Sequence, residues 1–366
     1  MNSPSSDKQS TPQRTNRTGI PLRRKILFSV IPVLLFFGVL EGMLRLVGFQ
    51  ANQGVERMEF TFPIDDYNES APQPFLVRDE TLFWRPKAGV MDHNSKGFYG
   101  PEFETEKKTS VFRIVCLGDS CTHFGPDSYP DMLRIYLDET APGKFEVINA
   151  GVIGYTSFQG RRLLESEVLK WSPDLVTVYF GWNDHWLARG RQDKDQNVET
   201  SVVMNALQGF RVIQFASYTL GGLSSQTGQA KRVELDDYRE NLAHIATQCQ
   251  SQNIATWYIT APHAFDLGIP PYLVKSGEIS DQRSLIPMHR SYNQVVREVA
   301  QTKEATLIDL AGEMDRMNKQ ELFIDDHIHL SRTGKFYLTK RIIETLETNN
   351  ILAERPNAEP SAPGTD

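Results

Sequence analysis

Apolar and polar positions along this chain fall into three regimes. Residues 1–20 carry almost no large apolar side chain and are rich in Ser, Thr, Gln, Asn and Pro. Such a segment buries too little apolar surface to offset its ordering entropy, so a disordered cytoplasmic tail is expected over 1–22. An apolar run follows from Ile26 to Leu40 and continues, interrupted, to Phe49. About 20 apolar helical residues span a bilayer core. The run predicts one membrane-length helix over 23–49, and membrane helices tolerate a proline such as Pro32. Residues 50–108 have scattered prolines and no period, which predicts an extended arm or a small strand pair. Its stretch Asn94-Ser-Lys-Gly-Phe-Tyr-Gly100 is rich in turn residues.

From residue 109 to 353 the pattern becomes regular. Short apolar runs at Val111–Leu117, Phe145–Asn149, Asp174–Phe180, Ile254–Thr260 and Ala305–Leu310 predict five buried strands. Helical spacing falls between them, over Tyr129 to about Glu139, 157–171, from about Leu235, 285–302 and 333–348. Leu164, Val168 and Trp171 share one face; so do Leu235, Tyr238, Leu242 and Ile245, and so do Leu338, Ile342 and Leu346. Strands alternating with helices imply an α/β fold, a parallel sheet covered on both faces as a three-layer sandwich. The Pro-rich tail 354–366 is expected to be disordered. In open parallel sheets ligands bind beyond the carboxyl ends of the strands. That rule singles out Gly118-Asp119-Ser120, Ala150-Gly-Val-Ile-Gly154, Gly181-Trp-Asn-Asp184 and the loop after the fifth strand.

Charge and cysteine content narrow the class. The net charge of -7 comes from dispersed residues, and no dense basic face is implied, so nucleic acid is not an expected partner. Cys116, Cys121 and Cys249 make neither a disulfide framework nor a C-x-x-C zinc pair. They are expected to be buried thiols.

Three readings compete for the N-terminal run. A cleaved signal peptide needs a small-residue cleavage site, and none follows the run. A buried helix of a soluble protein fits poorly with the disordered lead and Arg23-Arg24-Lys25. An uncleaved signal anchor needs a long helix with positive charge on its cytoplasmic flank, and both are present. The anchor reading is preferred. It implies a single-pass membrane protein with its main domain on the non-cytoplasmic side, periplasmic or extracellular. Glu41 and Arg45, spaced i,i+4 near the far end, can pair and snorkel toward the interface.

Each candidate site piece has a plain structural alternative. Ser120 lies past the first strand on a turn opened by Gly118, where a hydroxyl is presented at the sheet rim; the same residues could merely cap a short helix. Gly154 can bring a backbone N–H close to a substrate oxygen, or it can simply serve a turn. Asn183 can donate an amide to a developing oxyanion, or close the strand as an Asx turn. Asp325-Asp326-His327-Ile328-His329 offers a base with its carboxylate. Two His and two Asp there could also ligate a metal or form a polar helix start.

Together these pieces resemble the SGNH (GDSL-type) hydrolase family over about residues 109–350. The carrying residues are Gly118-Asp119-Ser120, Gly154, Gly181-Trp182-Asn183-Asp184 and Asp326-His327-Ile328-His329, with Tyr292-Asn293 as a lesser mark. The arm with Asn94-Ser-Lys-Gly97 is similar to that of membrane-tethered bacterial members. The resemblance implies a flavodoxin-like five-stranded fold. It also implies a serine esterase with Ser120 as nucleophile, His329 as base and Asp326 as its carboxylate. Ser120 and Gly154 N–H groups and the Asn183 amide would form the oxyanion hole. No metal or organic cofactor is implied. The expected partners are an ester substrate, with acylated carbohydrate as a candidate, and the lipid bilayer through the N-terminal helix. An O-acyltransferase with the same triad and a non-catalytic tethered binding module stand as alternatives.

One feature departs from the common pattern. Residues 185–234 separate the G-x-N-D turn from the next clear helix. They read either as a helical excursion packed on the domain or as a wall or lid over the site. Cys121 and His123, beside the candidate nucleophile, read as packing or lining residues.

Overall fold

A computed structural model of the chain describes residues 22–49, 75–123, 125, 127–188, 192–195, 209–224, 230–275 and 278–352. The expected tails at 1–21 and 354–366, and the arm residues 50–74, lie outside the described residues. The chain divides into two units, described separately: Met1–Ala51 with Val202–Thr219, and Asn52–Ser201 with Leu220–Asp366.

The larger unit is built on a parallel sheet of five strands. A hairpin of β1 (Leu76–Asp79) and β2 (Phe83–Pro86) precedes it. The sheet strands are β3 (Phe112–Gly118), β4 (Phe145–Gly151), β5 (Leu175–Tyr179), β6 (Ala255–Ile259) and β7 (Thr306–Ile308), in the spatial order β4-β3-β5-β6-β7. This is the doubly wound order 2-1-3-4-5, and the crossover reverses direction at β3. Every strand expected from the apolar runs is present.

The period-2 geometry of a strand sorts β3 between two cores. Val115 and Leu117 enter a cluster with Leu163, Leu164, Leu242, Ile245, Val295 and Val299. Ile114 and Cys116 enter the opposite cluster with Leu133, Leu137, Leu338, Ile342 and Leu346. One face is thus covered by the helices Ser157–Ser166, Leu235–Ser251 and Gln282–Thr302, and the other by Tyr129–Thr140 and Arg332–Thr348. Cys116, Cys121 and Cys249 are buried free thiols.

Two boundaries differ from expectation for local reasons. The helix expected over 157–171 is α-helical only to Ser166 and then tightens into a 3₁₀ turn over Val168–Trp171, closed by Ser172 in the left-handed region (φ 51°). The helix expected from 285 starts at Gln282, because the Asp281 side chain accepts the N–H of Arg283. The described part of the arm packs against the sheet domain: Trp84 Nε1 donates to Ile153 O (3.0 Å) and Tyr155 donates its hydroxyl to Trp84 O (2.6 Å).

The smaller unit contains the helix Leu22–Leu46. Within it Phe28–Leu46 is the one stretch among the described residues long and apolar enough to cross a membrane, and almost none of it is buried. Glu41 and Arg45 pair at 2.7 Å. Of the excursion 185–234, the structure describes a helix Arg211–Ser224, whose first residues contact this N-terminal helix. Most of the remainder lies outside the described residues.

Candidate active site

The carboxyl ends of β3 and β4 are shaped by two glycines. Gly118 and Gly151 are register partners. A Cβ on Gly118 would lie 2.1 Å from Thr122 Oγ1 and 2.7 Å from Tyr179 O; one on Gly151 would lie 2.5 Å from His123 N. Only glycine at both positions lets the short helix Ser120–His123 fold back over the strand ends. That helix places Ser120 at the rim of the sheet.

Ser120 Oγ lies 2.8 Å from His329 Nε2, across a sequence separation of 209 residues. His329 Nδ1 lies 2.5 Å from Asp326 Oδ2. The other carboxylate oxygen, Asp326 Oδ1, accepts the backbone N–H groups of Ile328 (2.9 Å) and His329 (2.8 Å). Burial pushes the Asp326 carboxyl up, but the charge of His329 and these hydrogen bonds outweigh it and hold the pKa below the ordinary value. A tight turn makes this possible. His327 sits in the left-handed region (φ 60°), and the N–H of Ile324 donates to His329 O, so residues i and i+3 meet. His327 is directed elsewhere: its Nδ1 lies 2.5 Å from Gly268 O. Asp325 is exposed. Among the described residues, no group of three or more His, Cys, Asp or Glu is placed to hold one metal ion.

Asn183 lies between the two turns that carry Ser120 and Gly154. Its Nδ2 donates to Tyr155 O (3.0 Å) and, at longer range, to Asp119 Oδ2 (3.4 Å). Asp119 Oδ1 accepts the N–H of Cys121 at 2.8 Å. Burial raises the Asp119 pKa to about 6, and hydrogen bonds from Cys121 and Asn183 and the charge of His329 only partly offset it. Asp184, the last residue of Gly-Trp-Asn-Asp, accepts both the N–H (2.9 Å) and the hydroxyl (2.6 Å) of Ser157. It thereby ties the end of β5 to the helix that follows Gly154. Asn293, the lesser sequence mark, accepts the N–H of Ala261 and donates to its carbonyl, both at 2.7 Å, which braces the loop after β6.

Cys121 and His123 are buried against the strand ends. His123 Nδ1 lies 3.0 Å from Gly151 O, and its ring stacks on His93 from the arm with centroids 5.0 Å apart. Burial, and then the neighbouring His93, depress the His123 pKa to about 3, so the ring is neutral.

Sequence reading did not single out Arg232. This side chain donates to Gly154 O (2.8 Å), to Gln159 Oε1 (3.1 Å) and to both oxygens of the fully buried Asp193 (2.9 and 3.2 Å). Asp193 also accepts the hydroxyl of Thr156 at 2.7 Å. The pair therefore clamps the turn in which Gly154 adopts φ 77°. No local motif signals it, because Arg232 and Asp193 lie 39 positions apart within the long excursion. Arg232→Ala is expected to lower kcat for ester cleavage by on the order of 10²-fold, through displacement of the Gly154 turn. It would also lower stability by roughly 3–5 kcal/mol, because Asp193 loses its counter-charge. Steady-state kinetics beside thermal unfolding separate the two: reduced stability with unchanged kcat would make Arg232 a purely structural residue.

The family model described as "GDSL-like Lipase/Acylhydrolase family" matches residues 116–335. No curated protein matches the chain. Among solved structures, a lipase/acylhydrolase from Enterococcus faecalis is similar at 21% identity and a TM-score of 0.45, covering 65% of this chain and 97% of its own. An acetylxylan esterase from Geobacillus stearothermophilus is similar at 18% identity and a TM-score of 0.43, covering 64% of this chain and 94% of its own.

Proposed function

Because the chain belongs to the GDSL-like lipase/acylhydrolase family, we propose that it is a membrane-anchored serine esterase whose triad is Ser120, His329 and Asp326. The observation that carries this reading is the unbroken line from Ser120 Oγ through the His329 ring to Asp326, at 2.8 and 2.5 Å. A serine hydroxyl needs a base at hydrogen-bond distance, and the base needs its far nitrogen held as a donor. Asp326 holds Nδ1–H, so the Nε2 lone pair faces Ser120. Ser120 Oγ attacks the ester carbonyl while His329 takes its proton. The proton then passes to the leaving alcohol, and water removes the acyl group from Ser120 by the same route.

The oxyanion is met by the N–H groups of Ser120 and Gly154 and by the Asn183 amide. The weaker 3.4 Å contact of Asn183 to Asp119 is the one that a substrate oxygen replaces. Asp326, with its lowered pKa, stays ionised well into mild acid and so keeps His329 oriented there.

The substrate class is an O-acyl ester of short chain, with acetylated carbohydrate outside the cytoplasm as the candidate. Location supports the second part: Arg23-Arg24-Lys25 precede the apolar stretch Phe28–Leu46 and favour export of the domain. Retention of that helix is supported by its contacts. Glu41 accepts the N–H of Val212 and Arg45 donates to Gly209 O, so a segment from the middle of the chain is built to hold it. A panel of 4-nitrophenyl esters of graded length, beside acetylated polysaccharides, tests the substrate reading. Acetate and butyrate esters are expected to turn over faster than decanoate or palmitate, with acetate released from the polysaccharide. Faster turnover of the long-chain esters would overturn the short-chain assignment.

A further inference from the structure

We infer that the helix Arg211–Ser224 is a second membrane contact of this chain, lying at the lipid–water interface beside the far end of the N-terminal helix. The inference rests on the proposal that Leu22–Leu46 stays in the bilayer, and it extends that proposal to a segment with no membrane-length apolar run.

The N-terminal helix ends in an ion pair that is not left to solvent. Glu41 and Arg45 bond each other at 2.7 Å, and each also reaches residues some 170 positions away along the chain. Glu41 Oε2 accepts the N–H of Val212 at 2.9 Å, and Arg45 Nη2 donates to Gly209 O at 3.1 Å. Val212 lies in the first turn of Arg211–Ser224, where backbone N–H groups lack intrahelical partners. The Glu41 carboxylate caps one of them and complements the positive end of the helix. Phe49 and Phe215 then meet edge to face, with centroids 5.4 Å apart. Three contacts of different chemistry therefore fix the start of this helix to the end of the anchor.

Exposed apolar side chains stand on both sides of that junction. Along the anchor Leu34 and Phe36 are 65% and 63% exposed, and at its end Leu46 is 89% exposed. Beside that end Phe210 is 51% exposed and Phe215 38%. Arg211 is the only charged residue in the 14-residue helix Arg211–Ser224. Whatever solvent covers the anchor must cover the aromatic residues fixed to it. Aromatic rings and snorkelling Arg and Glu side chains are what the interfacial layer accommodates, whereas the hydrocarbon core excludes charge. The position of Glu41 and Arg45 thus sets the depth: the helix Arg211–Ser224 lies at headgroup level, as monotopic helices do.

The test uses the full chain in vesicles of phosphatidylcholine and phosphatidylglycerol. Phe210→Cys, Phe215→Cys, Leu34→Cys and Phe336→Cys are each labelled with an environment-sensitive fluorophore; the three native thiols are buried. Phe336, 64% exposed on the helix Arg332–Thr348, is the reference, and its own iodide quenching first establishes that it faces water. Esterase turnover of each labelled protein checks that it is folded. Labels at 210 and 215 are expected to emit to the blue of the label at 336. Shallow spin-labelled lipid should quench them, and their iodide quenching constant should be severalfold smaller than at 336. Labels at 210 and 215 that match 336 while the label at 34 is quenched from within the lipid would overturn the interfacial helix and leave the anchor standing. Iodide access at 34 as well would overturn the anchor and this inference with it. Protection from iodide at 210 and 215 without quenching by lipid would mean that protein, either this chain or a second copy, covers them, and that also overturns it.

Discussion

Ser120→Ala is expected to abolish ester cleavage, with a loss on the order of 10⁴-fold or more in turnover and little change in the unfolding midpoint. The size follows from the proposed role: a triad member removed leaves only the residual catalysis of binding and oxyanion stabilisation. The small stability effect follows from the surroundings. The lost Oγ leaves His329 Nε2 without that partner, but the His329 side chain is 14% exposed and water can reach it. A net hydrogen bond of this kind contributes about 1 kcal/mol. The helix Ser120–His123 is held instead by Asp119, whose side chain accepts the N–H of Cys121 and whose carbonyl accepts those of Thr122 and His123. Turnover of a short-chain aryl ester and a thermal melt are the two measurements. Near-normal turnover in a protein that melts normally would sink the serine mechanism.

His329→Ala should be about as damaging as Ser120→Ala, and the double variant hardly worse than either, because the triad acts as a unit. The comparison with His327 makes the prediction sharp, since the two histidines are separated by one residue. The His327 ring bonds Gly268 O on the loop after β6, and its backbone carbonyl accepts the N–H of Ala264. It packs one loop on another and, among the described residues, makes no hydrogen bond to Ser120. His327→Ala should therefore keep most of the activity while lowering the melting temperature. Part of that cost is conformational, since His, like Asn and Asp, tolerates φ 60° better than alanine does. His327→Asn, whose side chain suits the left-handed region, should recover part of it. An inactive His327→Ala beside an active His329→Ala would reverse the assignment. Activity lost to a chelator and restored by zinc would instead make Asp325–His329 a metal cluster.

Much of the fold was legible along the chain because its signals are local. Five apolar runs of strand length, separated by helical spacing, report the burial of both sheet faces, and each run is a strand of the sheet. The turn at Gly118 was legible for the same reason: a glycine closing an apolar run marks a close approach, and here that approach is to Thr122 and Tyr179. What could not be read was the boundary of elements whose ends are set by a single cap, such as Asp281, or by a change of helix type, as at Val168–Trp171.

The sequence by itself determined the α/β alternation, the membrane-length apolar helix and the cluster of polar residues at strand ends, since each is written in neighbouring residues and their period. Only the tertiary structure decided which distant residues meet. Ser120 and His329 are brought together across 209 positions because β3 sits at the reversal of the sheet and the last helix returns beside it. Arg232 reaches Gly154 across 78 positions, and Val212 reaches Glu41 across 171, with no shared motif to announce either. The physical reason is common to all three. Periodicity records which face of an element is buried, whereas the partner on the other side is chosen by sheet order and by the buried polar groups that must each find a hydrogen bond.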